Sequence, residues 1–519
     1  MEQKKIKILW VDDEIDLLKP HILFLEQKGY ELQTATNGSD AVTLVQNQDF
    51  DMVFLDENMP GLSGMHTLAK IKAIYPFLPI IMITKNEEEN IMDEAIGSKI
   101  SDYLIKPVNP NQILLTIKKH IDKERLITEK TTIAYQSEFR KLANEINESM
   151  SFNDWVNVYK KLTYWELELS EANDNTMDDV LKMQYDEANI SFAKFIKRNY
   201  TSWFETTNSD KPLTSQNLLK EKVFPILKNG EKVFFLLMDN LRFDHWKSIE
   251  PLLSQYYNIV EEDLYYSILP TATQYSRNSI FSGLMPSEIN KLYPQLWKND
   301  DEEGGKNLYE EEMLQALMKR YNVKNSLHFE KVTDIKFCNR ISNNLNSILN
   351  NQFVVVIINF VDALSHARTD QKMMRELANS TSAYRAITKS WFSFSPLIDL
   401  LKNLAKHKVN LIISTDHGSV QVSNPVKIVG DRDTSTNLRY KLGKNLTYNE
   451  KEVFEILNPS EAYLPKINIS STYAFATAND FFAYPNNFNH YVKYYKDTFQ
   501  HGGVSLQEMI IPVICLKPR

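Results

Sequence analysis

The sequence predicts an α/β fold in three successive parts, on three observations: two changes of hydrophobic period along the chain, and acidic residues that close its strand-like runs. From Ile6 to about Ile121, short apolar runs alternate with helix-length amphipathic stretches. From about Asn111 to Gly230 only helical periodicity remains, and at Glu231 buried strand-like runs return. The predicted parts are a (βα)5 domain over 1–121, a helical bundle over 122–230 and a second α/β domain over 231–519. A length of 519 residues suits two or three domains.

In the first part KILWV, LQTAT, DMVFLD, PIIMIT and SDYLIK read as five strands with five helices. That alternation implies a parallel sheet covered on both faces, with its functional loops at the strand carboxyl ends. The first strand ends in Asp12 and Asp13, the third in Asp56 and the fourth in Thr84, and Lys106 and Pro107 follow the fifth. Three carboxylates suit magnesium, which takes oxygen ligands. A carboxylate at Asp56 is placed to attack phosphorus, with Lys106 and Thr84 binding the phosphoryl oxygens. VFLDENMPGLSG and the Lys106–Pro107 pair resemble the response-regulator receiver family. The resemblance implies phosphorylation at Asp56, magnesium held by Asp13, Asp56 and the Asn58 carbonyl with Asp12 assisting, and Tyr103 as the aromatic switch. Lys85 departs from the small residue usual after the threonine, which bears on the rate of autodephosphorylation.

The middle part, with QILLTIKKHIDKERLITEK, FNDWVNVYKKLTYWELELSE and DEANISFAKFIKRNYTSWF, has no Cys or His cluster and no glycine-rich phosphate loop. It reads as a spacer or packing bundle, with partner binding or dimerisation as the other role.

In the third part KVFFLLMDN, QFVVVIINFVDA and VNLIISTDHG read as buried strands, each closed by an aspartate. Asp239 sits in MDNLRFD, Thr271 in LPTATQYSRNSIFSGLMP, Asp362 and His366 in VDALSH, Asp416 and His417 in STDHG, and His501 in HGGVSLQEMIIPV. A lone Asp or His is usually structural, but imidazole and carboxylate together are zinc ligands, and this set suffices for two adjacent ions. Metal would activate the Thr271 hydroxyl for attack on phosphorus. The motif order resembles the alkaline-phosphatase superfamily, and the last motif its PglZ branch. That resemblance implies one zinc held by Asp239, Thr271, Asp416 and His417, and a second by Asp362, His366 and His501. Threonine in place of a formylglycine-type cysteine suits a phosphodiesterase better than a sulfatase. Arg242, Asn278, Arg432, Arg439, Lys441 and Lys444 are further candidates for substrate contact, the last four on an insertion expected to be exposed. The aromatic residues Phe481, Phe482, Tyr484, Tyr491, Tyr494 and Tyr495 read as core, and Lys298 to Lys306 as an exposed loop.

A formal charge of -8 and a pI near 5.8 give no general attraction to a nucleic-acid backbone. After Ile121 no compact helix-turn-helix with a basic recognition helix stands out, which disfavours a transcription factor. Two cysteines, Cys338 and Cys515, build neither a disulfide framework nor a thiolate metal site, which points to a reducing compartment. No apolar signal region opens the chain and no apolar run reaches membrane-spanning length, so a cytoplasmic protein without membrane insertion is expected. A receiver, a helical bundle and a PglZ domain in this order resemble the PorX-type response regulators along the whole chain. That resemblance implies a zinc phosphodiesterase acting on linear or cyclic oligonucleotides, and as partners a sensor histidine kinase, a sigma factor and the type IX secretion motor. The alternative is an adaptor whose phosphorylation exposes a binding surface. Phosphorylation of Asp56 is expected to pair two receivers into a homodimer.

Overall fold

The structure, a computed structural model, describes residues 6–85, 100–171, 177–205, 209–332, 335–431 and 434–519. It divides into two compact units, Met1–Ala134 and Tyr135–Arg519.

In the first unit β1 (Lys7–Val11), β2 (Glu31–Ala35), β3 (Met52–Asp56), β4 (Ile80–Thr84) and β5 (Asp102–Ile105) form a parallel sheet in the order β2-β1-β3-β4-β5. Successive strand side chains point to opposite faces, so each strand feeds two cores. Leu9, Val11, Val53 and Leu55 join one, and Ile8, Trp10, Met52 and Phe54 the other. Helices Lys19–Gln27, Gly38–Asn47, Gly64–Ile74 and Pro110–Ile117 pack their apolar faces into these cores, which β4 also feeds. Three of them start at side-chain caps, on Asn37, Ser63 and Asn109, which satisfy amides that the first helical turn leaves unpaired. The predicted helix between β4 and β5 lies outside the described residues.

The second unit joins helices Phe152–Glu171 and Asp178–Asn199 to a six-stranded sheet. Trp155, Leu162 and Phe192 of those helices lie in one hydrophobic core with Phe235, Val355 and Ile412 of the strands. The bundle is thus packed onto the catalytic-type fold rather than strung out as a spacer. Tyr266 Oη donates to Phe152 O at 2.8 Å, and Leu506 N donates to Asn189 Oδ1 at 2.8 Å. The strands are β6 (Val233–Met238), β7 (Tyr257–Tyr266), β8 (Leu327–Val332), β9 (Phe353–Ile358), β10 (Asn410–Ser414) and the C-terminal strand Ile510–Pro518. Their order is β7, C-terminal strand, β10, β6, β9, β8. β10, β6, β9 and β8 run parallel, and the C-terminal strand runs antiparallel to both of its neighbours. Every residue of β6, β9 and β10 is buried, which is why these strands read as unbroken apolar runs. The carboxyl ends of β6, β7, β9 and β10 and the amino end of the C-terminal strand therefore meet at one sheet edge.

Three surface expectations are corrected. Phe481 and Phe482 are buried in a short strand, but helix Phe488–Tyr495 has no buried residue and Tyr491 is 40% exposed, so the aromatic group is split between core and surface. In the stretch Lys298 to Lys306, Asp300 turns inward and accepts from Tyr275 Oη at 3.1 Å and Tyr440 Oη at 3.2 Å. Arg439 and Lys441 are buried, because strand Tyr440–Gly443 pairs with Thr472–Ala476 and carries the segment inward. Arg432 lies outside the described residues. No helix among the described residues is long and apolar enough to cross a membrane.

Candidate metal centres

In the first unit the carboxylates of Asp12, Asp13 and Asp56 lie within 4.8 Å of one another at the carboxyl ends of β1 and β3. Lys106 Nζ reaches both Asp12 Oδ2 and Asp56 Oδ1 at 2.9 Å. Burial pushes the Asp56 carboxyl above the usual carboxylate range, an effect that the Lys106 ammonium opposes. Asp12 Oδ2 is buried with no hydrogen-bond partner among the described residues, although Lys106 ion-pairs with it, so a cation fits the cluster. Thr84 Oγ1 donates to Glu57 Oε2 at the end of β4. Asn58 is exposed on the loop after β3, Tyr103 is 38% exposed on β5, and Lys85 pairs with Glu14 at 3.5 Å.

In the second unit the sheet edge carries two such groups. Asp239 follows β6, and Asp416 and His417 follow β10. Their ligand atoms form one group within 4.8 Å, and those of Asp362, His366 and His501 form the other. His366 stands one helical turn after Asp362 on helix Phe360–Asp370, with its Nε2 3.4 Å from Asp362 Oδ2. His501 Nε2 is 3.8 Å from Asp362 Oδ1, and His417 Nε2 is 3.6 Å from Asp239 Oδ1. The rings of His417 and His501 stack 4.2 Å apart, which makes the two groups neighbours.

Both imidazoles are oriented from behind. His417 Nδ1 bonds Gly418 O at 3.1 Å and His501 Nδ1 bonds Thr271 O at 3.1 Å, so each Nδ1 carries the donated proton and each Nε2 lone pair faces the carboxylates. Burial, reinforced by His417, lowers His501 to about 3 and keeps it neutral as a ligand must be. Gly418 permits the close turn, since a Cβ there would meet Gln507 O at 2.0 Å. Asp239 is pushed well above the carboxylate range by burial and by the charges of Asp416 and Asp362, against the pull of Arg277. Its Oδ1 is buried with no hydrogen-bond partner among the described residues. A carboxylate in that position calls for a cation, and a nitrogen and oxygen donor set suits zinc.

Two features went unread in the sequence. Arg277, 1% exposed, ion-pairs with Asp239, and its Nε donates to Asp416 Oδ2 at 2.9 Å, so one guanidinium ties two prospective ligands together. Its signal was a charged residue in a helix, Thr273–Ser282, that is buried from Gln274 onward. The second is the hydroxyl. Thr271 Oγ1 is occupied elsewhere: it donates to Gly503 O and accepts from Gly502 N, both at 3.0 Å. Thr273 Oγ1, at the first position of its helix, is 3.1 Å from His417 Nε2. The two threonines alternate in TAT, and the turn into the helix points the second one at the cluster.

The candidate substrate contacts are engaged within the protein. Arg242 clasps Asp244 through Nε at 2.8 Å and Nη2 at 2.6 Å. Arg439 grips Glu508 through Nε at 3.2 Å and Nη2 at 2.5 Å. Lys441 Nζ donates to Ser435 O at 2.9 Å, Asn278 Nδ2 donates to Lys306 O at 3.1 Å, and Lys444 is exposed. Burial is the common cause: a buried polar group finds a partner inside.

Comparison with known proteins places this geometry. Residues 218–516 match the BREX system PglZ alkaline phosphatase-like domain, 125–204 the PorX response regulator linker domain, and 8–118 the response regulator receiver domain. The alginate biosynthesis transcriptional regulatory protein AlgB of Pseudomonas syringae pv. tomato is 33% identical over 120 residues, 23% of this chain and 27% of that protein. The transcriptional regulatory protein ZraR of Escherichia coli K12 is 32% identical over 139 residues, 27% of this chain and 32% of that protein. The chain thus spans about a third or less of the length of these curated relatives. The chemotaxis protein CheY4 of Vibrio cholerae is 30% identical, and the match covers 23% of this chain and all of that one with a TM-score of 0.22. With its sheet edge bearing the two groups, and with receiver and linker preceding it, the chain belongs to the PglZ alkaline phosphatase-like family and is built as a PorX-type response regulator.

Proposed function

We propose that this response regulator is a zinc-dependent phosphodiesterase whose activity is set by phosphorylation of Asp56. The observation that carries the reading is the adjacency of two three-residue ligand groups, joined at the stacked rings of His417 and His501, with one hydroxyl beside them. Asp239, Asp416 and His417 would hold one zinc ion, and Asp362, His366 and His501 the other. Bound zinc would supply Lewis acidity at the phosphoryl oxygens and a lowered hydroxyl pKa. Thr273 is the nucleophile in this reading: its deprotonated oxygen bonds to phosphorus in line as the bond to the leaving alkoxide breaks on the opposite side. Water attacking from that side would then break the threonyl–phosphorus bond, releasing the phosphomonoester and restoring the hydroxyl. The N-terminus of its own helix, which no side chain caps, would lie toward the incoming phosphoryl group. Thr271 becomes a positioning residue that holds the Gly502–Gly503 loop by its hydroxyl and His501 by its carbonyl.

In the first unit Asp56 would accept the phosphoryl group from a sensor histidine kinase, with magnesium held by Asp13, Asp56 and the Asn58 carbonyl, Asp12 assisting, and with Lys106 and Thr84 on the phosphoryl oxygens. The resemblance to PorX-type regulators supports nucleotide-type diesters as substrates, type IX secretion as the setting, and a sigma factor and the secretion motor as partners. The division of labour follows the three parts 1–121, 122–230 and 231–519.

The test is hydrolysis of bis(p-nitrophenyl) phosphate by the zinc-loaded full chain. Thr273→Val should lose on the order of a thousandfold or more in kcat, while Thr271→Val keeps measurable turnover. Inactivity of the wild-type protein, or full activity of folded Thr273→Val, would refute the reading.

A further inference from the structure

Within the second unit a cavity of about 710 Å³ lies between the helices Phe152–Glu171 and Asp178–Asn199 and the loops around Ser380, Gln421 and Asp497. No residue of either ligand group lines it. Two of the three arginines in its wall, Arg242 and Arg385, are 2% and 4% exposed. Arg242 spends Nε and Nη2 on Asp244, and Arg385 spends Nη1 on Glu166 at 2.5 Å and Asp244 at 3.3 Å. Arg242 Nη1 and Arg385 Nε and Nη2 meet no acceptor among the described residues. These donors keep accessible surface rather than being sealed in the interior, and planar donors of this kind match phosphate oxygens.

A second observation points the same way. Helix Thr381–Phe394 opens onto the cavity through Ser380, Thr381 and Ser382, so its positive end lies at the same space, with the Ala383 amide capped by Ser380 Oγ. The volume is several times that of a phosphate and falls in the range of small-molecule sites. Its remaining wall offers both acceptors and donors, among them Asp186 with Asn479 bonded to it, and Gln421. Those are the groups that recognise a sugar hydroxyl and a base edge.

We propose that this cavity binds a nucleoside monophosphate, with the phosphate between Arg242, Arg385 and the start of helix Thr381–Phe394. The site is distinct from the metal centres and reports to them by the shortest route: Arg242 lies three residues after Asp239, and Arg385 is shared with Glu166 of helix Phe152–Glu171. An occupant draws Arg385 from Glu166 and so couples the linker helix to the strand end that carries Asp239.

The experiment is equilibrium dialysis of the four common ribonucleoside monophosphates against the chelator-treated full chain, which silences the metal centres. Saturable binding of at least one of them should survive His501→Ala and weaken about tenfold or more in Arg385→Gln. Ser423→Trp, which intrudes into the cavity and leaves every ion pair intact, should weaken it as much and decides the matter if Arg385→Gln does not fold. Inorganic phosphate should compete far more weakly. Absence of saturable binding, equal affinity for inorganic phosphate, or binding that is lost in His501→Ala and kept in Ser423→Trp overturns the proposal.

Discussion

Removing the guanidinium of Arg277 tests whether Asp239 and Asp416 share a cation. In Arg277→Met two buried carboxylates lose the guanidinium that pairs with both of them, and breaking a buried ion pair from one side costs about 3–5 kcal/mol. For a unit of this size about 2 °C accompanies each kcal/mol, so the chelated variant should melt about 6–10 °C below the chelated wild type. A divalent cation neutralises the same carboxylates and no longer meets the repulsion of Arg277, so it should bind the variant more tightly. The zinc-induced rise in Tm, which grows with the logarithm of free zinc over Kd, should therefore be larger in Arg277→Met than in the wild type. The assay is differential scanning calorimetry with and without excess zinc. An equal or smaller zinc shift in the variant would show that the cation does not sit on Asp239 and Asp416.

Three further outcomes are expected. Burial lowers Lys441 to about 7, far below its unfolded value, so the fold takes the neutral amine; the unfolded chain holds more protons between about pH 7 and 10, and stability from this group rises with pH across that window. Lys441→Met should accordingly stabilise the fold at pH 7 by on the order of a few kcal/mol, seen as a higher Tm, and should gain little at pH 10, as read by thermal melts at both pH values. Glu508 takes the Arg439 guanidinium and also accepts from Gly503 N at 2.9 Å, so Glu508→Gln should loosen the His501 loop and lower diesterase kcat more than KM, measured by steady-state kinetics. Beryllofluoride should double the mass of the full chain in light scattering, and Asp56→Asn should abolish that change; an unchanged mass with altered activity would sink the pairing of receivers.

Strand-end chemistry is encoded locally and was legible. A run such as VFFLLM reads as a strand buried on both faces, and a parallel strand puts the residues at its carboxyl end on the functional edge, so Asp12, Asp56, Asp239 and Asp416 could be placed at strand ends from the apolar pattern. His366 followed from the one-turn spacing to Asp362 on a helix. The choice between Thr271 and Thr273 was not local. It depends on how the turn after β7 meets the Gly502–Gly503 loop, more than two hundred residues away in sequence, and on where β10 delivers His417. The same holds for the basic residues. Arg242 and Arg439 read as candidates for substrate contact and Arg277 went unread, whereas packing set each against a buried carboxylate, at Asp244, Glu508, and Asp239 with Asp416 respectively. Which elements form is written in nearest-neighbour pattern, because backbone geometry fixes the period of burial. Which side chain meets which depends on contacts between distant segments, because a buried charge is stable only beside the partner that the completed fold brings to it.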